Sequence, residues 1–225
     1  MRRLDESELG RARAPEGAEL VLYERAGVFS LRSDGLELMC SRTHLSEDLL
    51  ATMGLARVRA SNPCRVLIGG LGFGFTVRAA LAELPSWARV RVAEISESVV
   101  DWNRGPLAAL WPEGEDERMS VEVTDVRACL RGGPFEAILL DVDNGPSPLV
   151  REANAELYSV EGLKELAGAL SLGGTLAVWS AFGDEAFGAR MRAAGLVSEA
   201  RAVSLGRVEH VLFLGHVEGA VAPCG

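Results

Sequence analysis

The sequence has no basic tract, no apolar run long enough to span a bilayer and no C-x-x-C pair. Lys and Arg total 23 against 32 Asp and Glu, a net charge of −9. With nothing clustered to neutralise phosphates, a nucleic-acid partner is excluded. Cys40, Cys64, Cys129 and Cys224 lie far apart, which excludes a zinc site and a disulfide framework and leaves no metal to expect. Met1 to Glu8 lacks the apolar core of a signal peptide, so a soluble cytoplasmic protein without a membrane partner is expected. What is present is 48% apolar residues in a 225-residue chain, enough for one substantial core with a small appendage.

One stretch organises the rest. Arg65-Val66-Leu67-Ile68-Gly69-Gly70-Leu71-Gly72-Phe73-Gly74-Phe75-Thr76 runs from an apolar segment into a glycine cluster, and a helical pattern follows over 76–84. A strand, a turn without side chains and a helix whose free N–H groups face that turn make a cradle for a nucleotide-like ligand. Twenty residues beyond Gly74, a strand-like run over 89–93 ends in Glu94. A carboxylate there can accept from both hydroxyls of a ribose. A dinucleotide fingerprint would place its third glycine three residues after the second, whereas Gly70, Gly72 and Gly74 run in steps of two. That G-x-G-x-G spacing resembles the cofactor loop of class I S-adenosylmethionine (SAM) methyltransferases and their aminopropyltransferase relatives.

Upstream, residues 1–17 are charged and carry Pro15 and Gly17, the composition of a loose arm. Three β-like runs at 19–24, 28–32 and 36–40, separated by Ala26-Gly27 and Ser33-Asp34-Gly35, predict a small antiparallel meander. Helical spacing over 41–59 follows, and Asn62-Pro63 closes the unit. Residues 1–60 thus read as arm, β-meander and helix, and 61–225 as a ligand-binding domain. In the latter, strands at 65–68, 89–93, 120–123, 137–140 and 175–179 alternate with helices at 76–84, 96–110, 124–130, 155–170 and 184–194. Gly173-Gly174 marks the end of the fourth helix, and runs at 196–203 and 208–214 flank Leu205-Gly206-Arg207.

Alternating units of this kind make a parallel sheet covered on both faces. The expected class is α/β, a Rossmann-like seven-stranded SAM-dependent methyltransferase sheet whose final hairpin sets an antiparallel strand inside it. Ligands in such sheets sit at the carboxyl ends of the strands, where Glu94, Asp125, Asp141 and Asp143 fall. Asp125 opens a helix, so it can cap that helix or read a base. Asp141 and Asp143 face one side if the strand persists, while Asp143-Asn144-Gly145-Pro146 also has turn chemistry.

Across roughly 19–180 the chain resembles the spermidine synthase (polyamine aminopropyltransferase) family. Tyr23-Glu24-Arg25 through Ser33-Asp34-Gly35 is similar to that family's N-terminal hairpins, and Glu47 to the acid of its Tyr-His-Glu motif. Gly70 to Thr76-Val77-Arg78 resembles its Gly-Gly-Gly-Asp-Gly-Gly-Thr-x-Arg loop. Glu94-Ile95-Ser96-Glu97-Ser98-Val99-Val100 resembles its Glu-Ile-Asp-x-x-Val-Val, and Asp141 opens its Asp-x-x-Asp-Pro segment. The resemblance implies a SAM-type nucleoside held by Gly70, Gly72, Phe73, Gly74, Glu94, Ile95, Asp125, Val126 and Asp141. Within that set it puts Glu94 on the ribose and Asp125 at the adenine. Read from their place at the ligand edge, Asp141 and Asp143 are the candidate catalytic acids, and Glu47, Asp143 and Asn144 the candidate substrate-binding residues.

The departures fall on the chemistry. The loop Asp that reads the donor's amine in that family aligns with Phe73, its catalytic Asp with Asn144, and its Tyr and His with Leu45 and Ser46. An amide cannot serve as a base, and Phe73 removes selection for a decarboxylated donor. The expectation is a SAM-dependent transferase moving a methyl or other sulfonium alkyl group to a small amine or amino-acid-like substrate. Aminopropyl transfer from decarboxylated SAM, intramolecular cyclisation of SAM and a non-catalytic partner subunit are the alternatives, and a homodimer is left open. A free amine has a pKa of about 10, close to lysine's, and arrives charged. Asp141 and Asp143 could attract it and accept its proton, with Glu47 or His44 contributing.

Overall fold

The computed structural model describes residues 6–14, 17–58, 63–111, 114, 116–142, 145–146, 153–206 and 208–218. They form two sheets. The first is antiparallel, with β1 (Ser7–Arg13), β2 (Glu19–Arg25), β3 (Val28–Ser33) and β4 (Leu36–Cys40) side by side in chain order. The second holds β5 (Arg65–Gly69), β6 (Arg89–Glu94), β7 (Met119–Val123), β8 (Phe135–Leu140), β9 (Leu170–Ser180), β10 (Leu196–Leu205) and β11 (Val208–Val217). Its order is β10-β11-β9-β8-β5-β6-β7, with β5 to β9 parallel and β11 antiparallel between β9 and β10. This is the expected α/β, seven-stranded Rossmann-like sheet. No helix among the described residues is long and apolar enough to cross a membrane.

Among the described residues seven α-helices accompany the sheets: α1 (Leu45–Leu55), α2 (Phe75–Glu83), α3 (Glu97–Arg104), α4 (Val126–Cys129), α5 (Ala153–Leu157), α6 (Val160–Gly168) and α7 (Glu185–Ala193). Strand alternation divides the core between the two faces of the large sheet. Val66 and Ile68 of β5 join Leu50 of α1 and Val77 and Ala80 of α2, and that cluster continues into Leu22 and Leu31 of the small sheet. Leu67 points the other way, into a second cluster with Leu163 and Leu166 of α6 and Phe187 of α7.

Four local features differ from the sequence reading. Residues 7–13, read as part of a loose arm, form β1. Its charges hid the strand, and they pair within the small sheet, Arg11 with Glu8 of β1 and Glu19 of β2, and Glu6, just before β1, with Arg32 of β3. The helix expected to Leu110 stops at Arg104, because Gly105 precedes Pro106 and a residue before proline is driven out of the α region. The helix expected over 155–170 is two helices. Ser159 interrupts it and caps α6 by accepting from the Gly162 N–H at 3.0 Å. Gly173-Gly174 lies inside β9 rather than at a helix end: Gly173 has φ +79°, and pairing with β8 jumps from Leu170 to Thr175 across this bulge.

Candidate functional site

The chain runs from β5 outward through β6 to β7 and then returns to β8 on the other side of β5. The crevice where the direction reverses, at the carboxyl ends of β5 and β8, is where such sheets take ligands. Gly70 leaves β5 there with φ +89°, its N–H donating to the Ala93 carbonyl at 2.9 Å. A Cβ on Gly70 would lie 2.1 Å from the carbonyl oxygen of Asp141. Gly70→Ala is therefore expected to destabilise the fold by about 2 kcal/mol or more, measured by chemical denaturation; wild-type stability in that variant would contradict this reading of the crossing.

Gly74 serves a different neighbour. It precedes α2, and a Cβ there would lie 2.0 Å from the Trp111 ring. Trp111 Nε1 donates to Asn103 Oδ1 at 2.9 Å, and Asn103 Nδ2 donates to the Gly72 carbonyl at 2.8 Å. The underside of the loop is thus fixed by a tryptophan and an asparagine from the α3 side.

Glu94 ends β6 and is 8% exposed. Its Oε2 accepts from the Leu71 N–H at 2.9 Å and its Oε1 from the Ser96 N–H at 2.8 Å, so both oxygens are held at the loop mouth. Asp125 follows β7 and caps α4 by accepting from the Arg127 N–H at 2.8 Å, while its residue also lines the cavity. Capping and lining are both realised. Asp141 follows β8, and its Oδ2 accepts from the Thr76 hydroxyl at 2.6 Å. Withdrawal from water, and then the charges of Glu47 and Glu94, push its pKa up to about 7 against the opposing Thr76 bond. Glu47, near the start of α1, is also raised, chiefly by burial and against a hydrogen bond from Ser46.

These groups enclose one cavity of about 510 Å³. Its walls come from the glycine loop, the strand-end acids, Leu38 and Met39 of the small sheet, and the final hairpin with Leu205, Val208 and His210. The architecture has close counterparts among solved structures. The fold is that of the spermidine synthases. A spermidine synthase in complex with the transition-state analogue AdoDATO gives a TM-score of 0.73 at 15% identity, covering 92% of this chain and 73% of that one. The spermidine synthase of Thermotoga maritima gives 0.66 at 16%, covering 92% and 72%. A probable spermidine synthase of Corynebacterium glutamicum gives 0.65 at 15%, covering 92% and 79%. No family model and no curated relative matches the sequence. At these identities the likeness extends to the fold.

On this spermidine-synthase scaffold, Gly70, Gly72, Glu94, Ile95, Asp125, Val126, Asp141 and Glu47 line the same cavity. Phe73 and Gly74 are not part of its lining. Phe73 is 2% exposed and packs edge-on to Phe75 in the core, 6.4 Å between ring centroids, because the turn that points Gly72 at the cavity points residue 73 away. Asp143 and Asn144 lie outside the described residues. His44 also stays out of the lining; it stacks on Phe75 at 4.1 Å and bonds Asp48 through Nδ1 at 2.8 Å.

Two residues of the cavity wall escaped the sequence reading, Trp179 at the end of β9 and His210 on β11, and the buried Ser46 of α1, noted in the sequence only as standing where the family has His, bonds one of them. Ser46 Oγ bonds Glu47 and sits 2.9 Å from His210 Nδ1. A lone histidine in a terminal strand gives no local signal. Only the 164-residue separation closed by the fold brings it to Ser46.

Proposed function

We propose that this chain transfers an aminopropyl group from decarboxylated SAM to a small amine. The observation that carries the reading is the charge of the cavity wall. It contains Glu37, Glu47, Glu94, Asp125 and Asp141, and no Lys or Arg among its described residues. A donor that keeps its α-carboxylate would bring another negative charge among these acids, and like charges about 4 Å apart cost roughly 4 kcal/mol at an effective dielectric of about 20. Without the carboxylate, the donor carries a sulfonium and an ammonium, both attracted by the same wall. The cradle suits the nucleoside: Gly70 and Gly72 bring backbone to its edge, and each Glu94 oxygen retains accepting capacity beside its one backbone N–H.

The methyl-transfer expectation rested on Phe73 and Asn144 standing where an amine-reading Asp and a base would be; Phe73 lies in the core and Asn144 outside the described residues, so neither gives positive support to a donor with a carboxylate. In this reading Asp141 takes the acceptor's proton, supported by its raised pKa of about 7, since a base titrating near neutrality combines availability with driving force. The test is mass spectrometry of products after incubation with SAM or decarboxylated SAM and short diamines. The proposal expects an acceptor heavier by an aminopropyl unit, formed only from the decarboxylated donor. A methylated acceptor, or a cyclic amino acid from SAM alone, would overturn it.

A further inference from the structure

The cavity wall contributed by α1 and the final hairpin carries an arrangement that the nucleoside cradle does not use. Ser46 is fully buried, and its hydroxyl donates to Glu47 Oε2. A hydroxyl has one hydrogen. With that hydrogen committed to the carboxylate, Ser46 Oγ meets His210 Nδ1 at 2.9 Å as an acceptor, so His210 must carry its proton on Nδ1. The edge of Trp179 against the ring, 4.7 Å between centroids and 73° between planes, fixes the remaining rotation. The consequence is an oriented imidazole whose Nε2 keeps a lone pair, on a side chain that lines the cavity beside Glu47. Among the described residues no hydrogen bond reaches that Nε2.

We propose that His210 and Glu47, joined through Ser46, form the acceptor subsite, His210 Nε2 accepting a hydrogen bond from an N–H of the acceptor amine while Glu47 balances its charge. This rests on the aminopropyl-transfer reading and names what the acceptor must bring to the subsite: an amine with an N–H to give and a positive charge for Glu47 to balance. Burial lowers the His210 pKa, which keeps the ring neutral and the lone pair free at neutral pH. The apolar contacts at Leu205 and Val208 beside it suit an alkyl chain. Ser46 acts through the other two and is a positioning residue.

The sequence has three histidines, His44, His210 and His216, so the imidazole nitrogens can be assigned individually by ¹⁵N NMR. The wild-type protein should show His210 in the Nδ1–H tautomer. Adding 1,4-diaminobutane in the presence of methylthioadenosine should move the His210 Nε2 resonance and leave that of His44 in place. Ser46→Ala should release the tautomer to Nε2–H. In turnover assays, His210→Phe should raise the acceptor KM about tenfold or more, with donor KM unchanged and kcat within a few fold. An Nε2–H tautomer in the wild type, resonances indifferent to the diamine, or an unchanged acceptor KM in His210→Phe would each overturn the subsite. Diamine binding at His210 without any transfer would sustain the subsite and overturn the transferase reading.

Discussion

Asp141→Asn should lower turnover by about a hundredfold or more while making the protein more stable above neutral pH. The first half follows from the role of a positioned base, whose removal typically costs about 10²–10⁴ in rate. The second half follows from where the carboxyl sits. Its pKa in the folded protein is about 7 against an ordinary 3.8. The folded state therefore binds this proton more tightly than the unfolded chain does, and the associated stability is complete below about pH 4 and lost as the pH rises through 7. That loss is on the order of 2–4 kcal/mol, the lower figure allowing for water in the cavity. Asn carries no proton to lose and keeps an oxygen for Thr76. Melting curves of the variant should lie above wild type by roughly 5 °C or more at pH 8, with the gap closing towards pH 5. Equal melting temperatures at both pH values, with full turnover, would show that Asp141 is neither strained nor catalytic.

Glu94→Gln is the second large effect. Both oxygens of Glu94 accept backbone N–H groups, one from Leu71 in the glycine loop and one from Ser96 at the cap of α3. A glutamine offers one oxygen, and its amide nitrogen must confront the other donor. One buried N–H is left without an acceptor, at a cost of about 1–3 kcal/mol, and the charge that a ribose would meet is gone. Charge-assisted hydrogen bonds contribute about 1.5–3 kcal/mol, so methylthioadenosine affinity should fall by roughly tenfold to a hundredfold in calorimetric titration. Amide hydrogen exchange should quicken at Leu71 and Ser96 in the same variant. Unchanged affinity in a folded Glu94→Gln protein would remove Glu94 from the nucleoside site.

What the sequence made legible was what is local. The strand that enters Gly70, the acid twenty residues on, and the placement of Asp125 and Asp141 after apolar strands each depend on a few neighbouring residues, and all come together at one cavity. The reading failed where a neighbour distant in sequence decides. Phe73 follows a cavity-facing glycine, yet whether residue 73 faces ligand or core depends on the turn, which Trp111 and Asn103 fix from below. Ser46 and His210 acquire meaning only once α1 and β11 are packed side by side. The strand β1 was hidden because an edge strand satisfied by ion pairs has the composition of a solvated arm.

The central claim is that an acidic cavity selects a donor without a carboxylate, and competition binding addresses it without knowledge of the acceptor. Decarboxylated SAM and SAM should be titrated separately against protein preloaded with methylthioadenosine, at low and high salt. The account predicts that decarboxylated SAM displaces the nucleoside about tenfold or more effectively, with the advantage shrinking as salt screens the wall. SAM binding as tightly as, or more tightly than, its decarboxylated form at low salt would contradict it.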